Sequence, residues 1–262
     1  MLFYPLFSGS SGNASLVEAG GVRILIDAGV TGSALTRALG GIGVEPKSVD
    51  ALLITHEHSD HVSGAGVFSR KYDVPVYANR GTWEGMLPCV GRIEPRNVRV
   101  FETNRDFYIQ GVNVTPFKTP HDARESVGYR IDCGGKRLCV MTDIGVVEPR
   151  LLDAAEGADL LLIEANHDVD MLRMGRYPYV LKRRILSDVG HLSNESAGKA
   201  LAKLYLRGLR RAILGHLSLD NNIEELALAT VREMLRAESI SDAAFELTVA
   251  HRDRLTGCYE VG

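Results

Sequence analysis

Short apolar segments recur along the first half of the chain, and polar turn residues separate them. The segments "VRILIDAG", "ALLITH", "VPVYAN" and "VNVTPFKT" are rich in β-branched residues, with Gly, Asp, Asn or Pro between them. Such short runs, bounded by turn-forming residues, are typical of buried strands. A second group, "KRLCVMTD", "ADLLLIEAN" and "RRAILGH", follows in the second half of the chain. The pattern therefore predicts two strand-rich blocks.

Helical periodicity lies between and after these strands. The segment 194–207, "NESAGKALAKLYLR", places its Ala and Leu residues on one face, and Ser193 or Asn194 is positioned to cap its start. A second amphipathic helix is predicted from about 222 to 236, with Asn222 as its cap. Two strand-rich blocks, each followed by helices, predict a layered α/β protein. We expect two packed sheets with helices outside, in one domain that spans residues 1–262.

Composition and charge narrow the class of protein. Apolar residues make up 45% of the chain and charged residues 24%, as in ordinary globular proteins. The formal net charge of −3 excludes a global positive field, so any affinity for nucleic acid must come from a local patch. The N-terminal stretch "MLFYPLFSGSSG" has no basic residue ahead of its apolar run and is too short to span a membrane. We therefore expect a cytoplasmic protein without a membrane contact.

The four cysteines predict neither a zinc ribbon nor a disulfide framework. No pair among Cys89, Cys133, Cys139 and Cys258 has CxxC spacing, and two of them lie in a strand-like stretch. We expect reduced thiols in the core.

The stretch 56–61, "HEHSDH", holds three of the eight histidines of the chain. It follows the strand "ALLIT", so His56 and His58 alternate to the same side, and the next turn brings Asp60 and His61 beside them. Imidazole and carboxylate ligands suit Zn²⁺ or Mn²⁺. Four ligands from one loop are too many for a single catalytic zinc ion with an open position. The cluster therefore predicts two divalent metal ions per chain, and the alternative is a polar surface loop.

Further metal ligands are expected at the ends of other strands. His121 follows "VNVTPFKTP", Asp143 follows "KRLCVMT" and His216 follows "RRAILG". Functional sites in α/β proteins collect at the carboxyl ends of strands. We therefore expect these three side chains to converge on the first cluster.

These motifs resemble those of the metallo-β-lactamase superfamily. The resemblance rests on "THEHSDH" with "IDAG" before it, and later motifs narrow it to the YycJ (WalJ) group, which is similar to the ribonuclease Z branch without its long substrate arm. The later motifs are "SGSSGN", "TPHDA", "MTDIG", "LLIEANHDVDMLRMGRYP", "LKRRILSDVGHLSNESAG" and "LGHLSLDNN". The resemblance implies an αββα sandwich, which agrees with the pattern of strands and helices.

The resemblance also implies how the ligands are divided between two metal ions. One ion would be held by His56, His58 and His121, the other by Asp60, His61 and His216, with Asp143 bridging both. Asp27 matches an aspartate that braces the histidine loop, a support that ligand-bearing loops usually need. A plain turn-forming aspartate is the alternative for that position.

A pair of divalent ions suits phosphodiester hydrolysis, because it activates water and neutralises the phosphoryl oxygens. The leaving oxygen needs a proton, and His191 in "DVGHLSN" is the candidate general acid. A histidine at the matching place of the ribonuclease Z branch is thought to act in this way. We count His191, Asp60 and Asp27 as the candidate catalytic group. Glu164, Asn166 and His167 of "EANHDVDM" are expected to support the metal-binding histidines through hydrogen bonds.

The segment 171–188 is the best candidate for contact with a substrate, because basic and aromatic residues lie there between two site motifs. The candidates are Arg173, Arg176, Tyr177, Lys182, Arg183 and Arg184. Basic side chains track a phosphate backbone and aromatic rings stack on unpaired bases, although a basic run is also typical of a solvated helix face. In "SGSSGN", Ser10 and Asn13 are candidate phosphate neighbours if the small residues form an anion-binding nest, and the alternative is a tight turn.

Three functions remain open on the sequence. The resemblance implies a metal-dependent nuclease, a 5′→3′ exonuclease that acts on single-stranded DNA in DNA repair. The second hypothesis is a hydrolase of another ester class on the same fold, such as a thioesterase, a lactonase or an enzyme for small phosphodiesters. The third is a metal-bearing regulatory protein linked to cell-wall signalling.

Overall fold

Two seven-stranded sheets form the centre of the protein, which a computed structural model describes over residues 1–262. The first sheet contains β1 (Leu2–Gly9), β2 (Gly12–Ala19), β3 (Val22–Ile26), β4 (Ala51–Leu53), β5 (Val76–Asn79), β6 (Val98–Phe101) and β14 (Tyr259–Glu260). The second sheet contains β7 (Phe107–Ile109), β8 (Val112–Lys118), β9 (Val127–Cys133), β10 (Lys136–Met141), β11 (Leu160–Glu164), β12 (Arg211–Gly215) and β13 (Glu246–Val249).

The two sheets have similar strand arrangements. Their strand orders are β14-β1-β2-β3-β4-β5-β6 and β13-β12-β11-β10-β9-β8-β7. In the first sheet β1, β2 and β3 pair antiparallel, and β3 to β6 run parallel. In the second sheet β7 to β10 pair antiparallel, and β10 to β13 run parallel. Because parallel strands end at a common edge, each sheet brings the carboxyl ends of several strands together.

Helices cover the outer faces of both sheets. They are α1 (Gly32–Gly41), α2 (Ser59–Val62), α3 (Ala65–Tyr72), α4 (Arg80–Val90), α5 (Pro149–Ala155), α6 (Val169–Met174), α7 (Tyr179–Ile185), α8 (Asn194–Leu206) and α9 (Glu224–Ala237). One apolar cluster lies between the sheets, and two others lie beneath the outer helices. This four-layer arrangement confirms the expected αββα sandwich. None of the nine helices combines the length and the apolar character that crossing a membrane requires.

The structure confirms one predicted helix closely and corrects the start of another. Helix α8 begins at Asn194, and the Ser193 hydroxyl accepts a hydrogen bond from the Ser196 N–H, as a cap does. Helix α9 begins at Glu224, and Ile223 rather than Asn222 occupies its cap position. Asn222 is buried, its amide donates to the Ala165 carbonyl, and its Oδ1 atom accepts from the Ile223 N–H at 3.0 Å. Its side chain therefore joins the loop after β11 to the residue that precedes α9.

The prediction of core thiols holds only in part. All four cysteines are free, and Cys139 is buried in the core. Cys89 and Cys258 are exposed, so the prediction was wrong for these two residues. Cys89 lies near the end of α4, where the apolar stripe of the helix faces away from it.

Three residues that follow strands have a left-handed backbone. Asp27 after β3, Asp143 after β10 and His216 after β12 have φ values of 59°, 56° and 57°. Residues other than glycine rarely adopt this conformation, and strained backbone of this kind is enriched at functional sites. Here it turns the backbone sharply after each of the three strands, so that the three polar side chains lie at one edge of the sandwich.

Gly29 lets the loop after β3 approach the loop that carries Asp60. A Cβ atom at residue 29 would lie only 1.6 Å from the Asp60 carbonyl oxygen. The Gly29 N–H also donates to the Asn13 carbonyl at 2.8 Å, which leaves the backbone little room to move.

We therefore predict that Gly29→Ala lowers the free energy of unfolding by about 1–3 kcal/mol or more, because the added methyl group must displace backbone. Gly40→Ala is the control, because no atom lies within 4 Å of that Cβ position in helix α1. The control should be neutral or stabilising by up to about 1 kcal/mol. Urea unfolding monitored by circular dichroism measures both values, and equal midpoints for the two variants would contradict the packing described.

Candidate active site

Three imidazole nitrogens face one another at the end of β4. His56 Nε2 lies 3.1 Å from His58 Nδ1, and His121 Nε2 lies 3.2 Å from the same atom. Neutral imidazoles cannot satisfy three mutually facing nitrogens with hydrogen bonds alone. Ligands of a tetrahedral zinc ion at 2.0–2.1 Å would stand about 3.3 Å apart, which is close to the spacing observed here. The three nitrogens therefore fit a metal site.

A second group of ligand atoms lies beside the first. Asp60 Oδ2 is 3.4 Å from His61 Nε2 and 3.5 Å from His216 Nε2. The rings of His56 and His61 are 4.1 Å apart between centroids, so the two groups are adjacent. The side chains of His61 and His216 are buried, and Asp60 is partly exposed to the cavity described below.

Asp143 lies between the two groups. Its Oδ2 atom is 3.2 Å from His61 Nε2 and its Oδ1 atom is 3.6 Å from His121 Nε2. Oδ2 is buried and has no hydrogen-bond partner, which is costly for a carboxylate oxygen. A cation between the two groups would supply the missing partner, so this orphaned atom also fits a metal-bridging role.

Hydrogen bonds to the outer ring nitrogens point the inner nitrogens toward the site. His61 Nδ1 lies 2.8 Å from Asp27 Oδ2, and His216 Nδ1 lies 2.6 Å from Glu164 Oε1. His121 Nδ1 donates to a backbone carbonyl, that of Gly190, at 3.0 Å. Such bonds select the tautomer whose other nitrogen is free to bind a metal. The donor set is therefore oriented for cations before any cation binds.

The carboxylates and several histidines of the site shift each other's pKa. Burial lowers the pKa of His216, but the carboxylates of Asp143, Asp60 and Glu164 outweigh burial and raise this pKa to about 10. Burial also favours the neutral form of Asp143, yet the surrounding histidines hold its pKa well below the usual range. The carboxylates thus favour positive charge at this place, whether protons or metal ions supply it.

Glu164 is buried and contacts both the candidate metal ligand His216 and the candidate general acid His191. Its Oε2 atom accepts hydrogen bonds from the Ile144 and Leu192 N–H groups, each at 2.9 Å. Its Oε1 atom lies 2.6 Å from His216 Nδ1 and 2.9 Å from His191 Nδ1. Burial opposes the charged form of His191, but Glu164 outweighs burial and raises the pKa of His191. The imidazolium of His191 is therefore stabilised, and its Nε2 atom is not engaged by Glu164.

A cavity of about 380 Å³ opens over these groups. Ligand and acid–base residues form its floor, and segments from the first hairpin, the α6–α7 region and the loop after β12 form its walls. The residues that line it are Ser10, His58, Ser59, Asp60, Asp143, Asn166, Tyr177, Leu181, Arg184, Ile185, His191, His216 and Ser218. Only three of these 13 side chains are hydrophobic, so the cavity suits a polar or charged ligand.

Comparison with known proteins agrees with this architecture. The beta-lactamase superfamily domain matches residues 22–217. Exodeoxyribonuclease YycJ of Bacillus anthracis is 41% identical over 246 residues, covering 94% of this chain and 93% of that protein. Exodeoxyribonuclease WalJ of Streptococcus pneumoniae is 39% identical over 259 residues, covering 98% and 96%.

Solved structures extend the comparison to the fold. The crystal structure of the metallo-beta-lactamase fold protein YhfI from Bacillus subtilis matches with a TM-score of 0.73 and 18% identity, covering 99% of this chain and 100% of that chain. The chain belongs to the beta-lactamase superfamily. Its full-length similarity to YycJ and WalJ places it in their family, which confirms the resemblance inferred from the motifs.

The structure separates the basic residues of 171–188 into two groups. Arg184 and Tyr177 line the cavity of this superfamily member, and Arg184 Nη2 donates to Asp122 Oδ1 at 3.0 Å. Lys182 lies outside the cavity lining, because its ammonium donates to the carbonyls of Arg173 and Gly175.

The remaining basic side chains of this segment are exposed and lie away from the cavity lining. Arg176 lies 3.5 Å from the Asp220 carboxylate, and Arg173 is exposed. The Arg183 guanidinium lies 5.9 Å from the centroid of the Tyr179 ring. These residues can contact only a substrate that extends beyond the cavity.

The "SGSSGN" segment forms the tight hairpin turn between β1 and β2. Ser10 lines the cavity and accepts a hydrogen bond from Asn166 Nδ2 at 3.1 Å. Asn13 is buried, and its amide donates to the carbonyls of Gly9 and Asp60 at 3.1 and 3.3 Å. The Asn13 amide nitrogen also lies 3.1 Å from His61 Nε2. The Asn13 side chain therefore ties the hairpin to the ligand loop and contacts a candidate ligand, and it does not line the cavity.

The prediction that His167 supports the candidate ligand histidines through hydrogen bonds was wrong, and this residue does not line the cavity either. Neither of its ring nitrogens has a hydrogen-bond partner, and burial lowers its pKa to about 4. Its backbone carbonyl accepts from the Asn194 N–H at 2.9 Å, which fixes the start of α8 relative to β11.

Three residues of the site were not among the candidates predicted from the sequence. Thr55 donates its N–H to Asp27 Oδ1 at 2.8 Å and places its hydroxyl 3.0 Å from His56 Nδ1. Asp122 anchors Arg184, and Ser218 lines the cavity. Thr55 and Asp122 each adjoin a candidate ligand histidine in sequence, and all three residues lie within the quoted motifs "THEHSDH", "TPHDA" and "LGHLSLDNN", which were the available signals.

Asp27 is the side chain that holds both His61 and the Thr55 segment in place. We predict that Asp27→Asn, which replaces one acceptor oxygen with an amide donor, lowers metal affinity by about 10–100-fold. Competition with a chromophoric chelator measures the affinity, and the exposed Asp242→Asn is the matched control. Wild-type affinity in Asp27→Asn would show that Asp27 does not orient the ligands.

Proposed function

We propose that this chain is a metal-dependent exodeoxyribonuclease that degrades single-stranded DNA in the 5′→3′ direction during DNA repair in the cytoplasm. The observation that carries the proposal is His191, which Glu164 holds and which lines the same cavity as the candidate ligands His58, Asp60, Asp143 and His216. The similarity to YycJ and WalJ, which extends over nearly the whole chain, supports the choice of DNA.

The donor set supports two divalent ions, Zn²⁺ or Mn²⁺, in each chain. One ion would be held by His56, His58 and His121. The other would be held by Asp60, His61 and His216, and Asp143 would bridge the two ions. Such a pair supplies Lewis-acid activation of water and charge neutralisation at the phosphoryl oxygens. The nitrogen and oxygen ligands suit both metals.

His191 is placed to give a proton to the leaving oxygen of the scissile phosphodiester. Glu164 accepts the hydrogen bond of His191 Nδ1, which leaves Nε2 to act on a ligand in the cavity. The carboxylate also stabilises the imidazolium, the form that can donate. Glu164 itself is fully buried and held by two backbone N–H groups, so its role is to position and charge His191.

The cavity walls provide the contacts that a nucleotide needs. Arg184 offers its remaining guanidinium N–H groups to a phosphate while Asp122 holds it in position. Tyr177 lines the same wall, and its hydroxyl donates to Asp220 at 3.1 Å, which fixes the ring. A cavity of about 380 Å³ with an open mouth suits a chain end rather than the interior of a long duplex.

The two other functions receive less support. Thioester or lactone substrates present a neutral acyl group, for which the Arg184 wall and the mostly polar lining are poorly matched. A purely regulatory protein does not require a proton donor such as His191, which Glu164 holds at the cavity. Both observations favour hydrolysis of a phosphodiester. The similarity to YycJ and WalJ is what favours DNA over the small phosphodiesters of the second hypothesis.

We predict that His191→Ala lowers kcat for 5′-labelled single-stranded DNA by about 10²–10⁴-fold, because the leaving oxygen loses its proton donor. Metal content should remain at the wild-type level, since His191 is not among the ligands of either proposed ion. His58→Ala is the matched comparison and should lose both activity and metal. Gel assays of labelled DNA and elemental analysis of the same samples measure the two quantities.

A full rate in His191→Ala would contradict the proton-donor assignment. Failure of well-metallated wild-type protein to cleave single-stranded DNA from the 5′ end would contradict the proposed nuclease itself.

Arg184 and Arg183 provide a second, internally controlled comparison. We predict that Arg184→Ala raises KM for DNA about tenfold and flattens its salt dependence, because a charge-assisted contact to phosphate is lost. Arg183→Ala should have a smaller effect, since Arg183 lies on the same helix and is also exposed but does not line the cavity. Initial rates at several salt concentrations measure both, and an equal or reversed order would argue against Arg184 as a phosphate contact.

A further inference from the structure

A second cavity lies between helices α8 and α9, on the outer layer of the second sheet. Its volume is about 410 Å³, similar to that of the cavity over the ligands. Five of the eight residues that line it are hydrophobic, including Leu206, Met234 and Ile240. It is the more apolar of the two cavities, and no segment of the chain covers it.

One apolar side chain at the rim of this groove is largely exposed to solvent. Leu206 at the end of α8 is 84% exposed, whereas Ile240 and Ala202 on the floor are 4% and 6% exposed. A pocket of this size, lined mostly by apolar side chains, has room for an apolar side chain of a ligand.

Two lysines flank the pocket on the α8 side. Lys199 and Lys203 are four residues apart, so they project from the same helix face as Leu206. Neither lysine forms an ion pair or a side-chain hydrogen bond in the structure, although acidic residues outnumber basic ones in the whole chain. Glu238, on the α9 side, is the single acidic residue of the lining. The α8 rim thus presents unpaired positive charge next to apolar surface.

We propose that this groove is a docking site for a short acidic peptide segment of a partner protein, with a large apolar side chain next to its carboxylates. The apolar side chain fills the pocket beside Leu206, and the carboxylates pair with Lys199 and Lys203. Nucleic acid fits this surface poorly, because two lysines are too few to track a phosphate backbone and Leu206 would face a phosphate. Opposite charge beside an apolar anchor is the pattern of complementary protein interfaces.

The groove is separate from the candidate active site. The start of α8 adjoins the catalytic edge, and Leu206 lies 12 residues further on, which corresponds to about 18 Å along the helix axis. Docking there leaves the catalytic cavity open, so a partner can bring the protein to its substrate without blocking hydrolysis. The proposal therefore does not depend on the nuclease assignment.

Fluorescence anisotropy of the full chain with a labelled hexapeptide tests the proposal. The probe has four aspartates followed by leucine and phenylalanine, and the control probe has lysines in place of the aspartates. We expect saturable micromolar binding of the acidic probe only. Lys203→Glu and Leu206→Glu should weaken binding of the acidic probe about fivefold or more. Lys47→Glu, which changes an exposed lysine outside the groove, is the control and should leave this binding unchanged.

Glu238→Gln provides a gain-of-binding control, because removal of the single acidic rim residue should tighten the acidic probe. The proposal is overturned if no saturable binding occurs up to about 1 mM, if both probes bind equally or if Lys47→Glu weakens binding as much as Lys203→Glu. It is also overturned if sedimentation shows a dimer that Leu206→Glu dissociates, since the occupant would then be a second copy of the chain.

Discussion

The orientation of the histidine rings is the constraint on which the rest of the site depends. Asp27, Glu164 and the Gly190 carbonyl bind the outer nitrogens of His61, His216 and His121, so the inner nitrogens face a common centre. These supports come from three different strand ends or loops. The two sheets must therefore be packed against each other before the ligand atoms can converge. Metal binding at this site thus depends on the packing of both sheets.

Glu164 connects this constraint to the proposed chemistry. One of its oxygens serves both His216, a candidate ligand, and His191, the candidate proton donor. Its other oxygen is held by the backbone after β10 and before α8. A single buried carboxylate thus fixes the distance between the ligand group and the acid. Its negative charge is tolerated in the interior because two imidazoles and two N–H groups surround it.

Local sequence signals predicted the layers and the ligand types, because periodicity and the density of histidines in 56–61 depend on near neighbours in the chain. The convergence of His121, Asp143 and His216 followed from their positions at strand ends. The pairing of Glu164 with His191, and the pairing of Arg184 with Asp122, were not predictable in detail. Each joins residues at least 20 positions apart in segments that meet only in the folded protein, and local patterns of residue types do not encode such contacts.

Anomalous diffraction from crystals grown with Mn²⁺ or Zn²⁺ tests the central claim most directly, because it locates the ions independently of any activity. The account predicts two peaks per chain, about 3.5–4 Å apart. One should lie among His56, His58 and His121, the other beside His61 and His216, with Asp143 between them. A single peak, no peak, or peaks away from these side chains at full metal saturation would contradict the account.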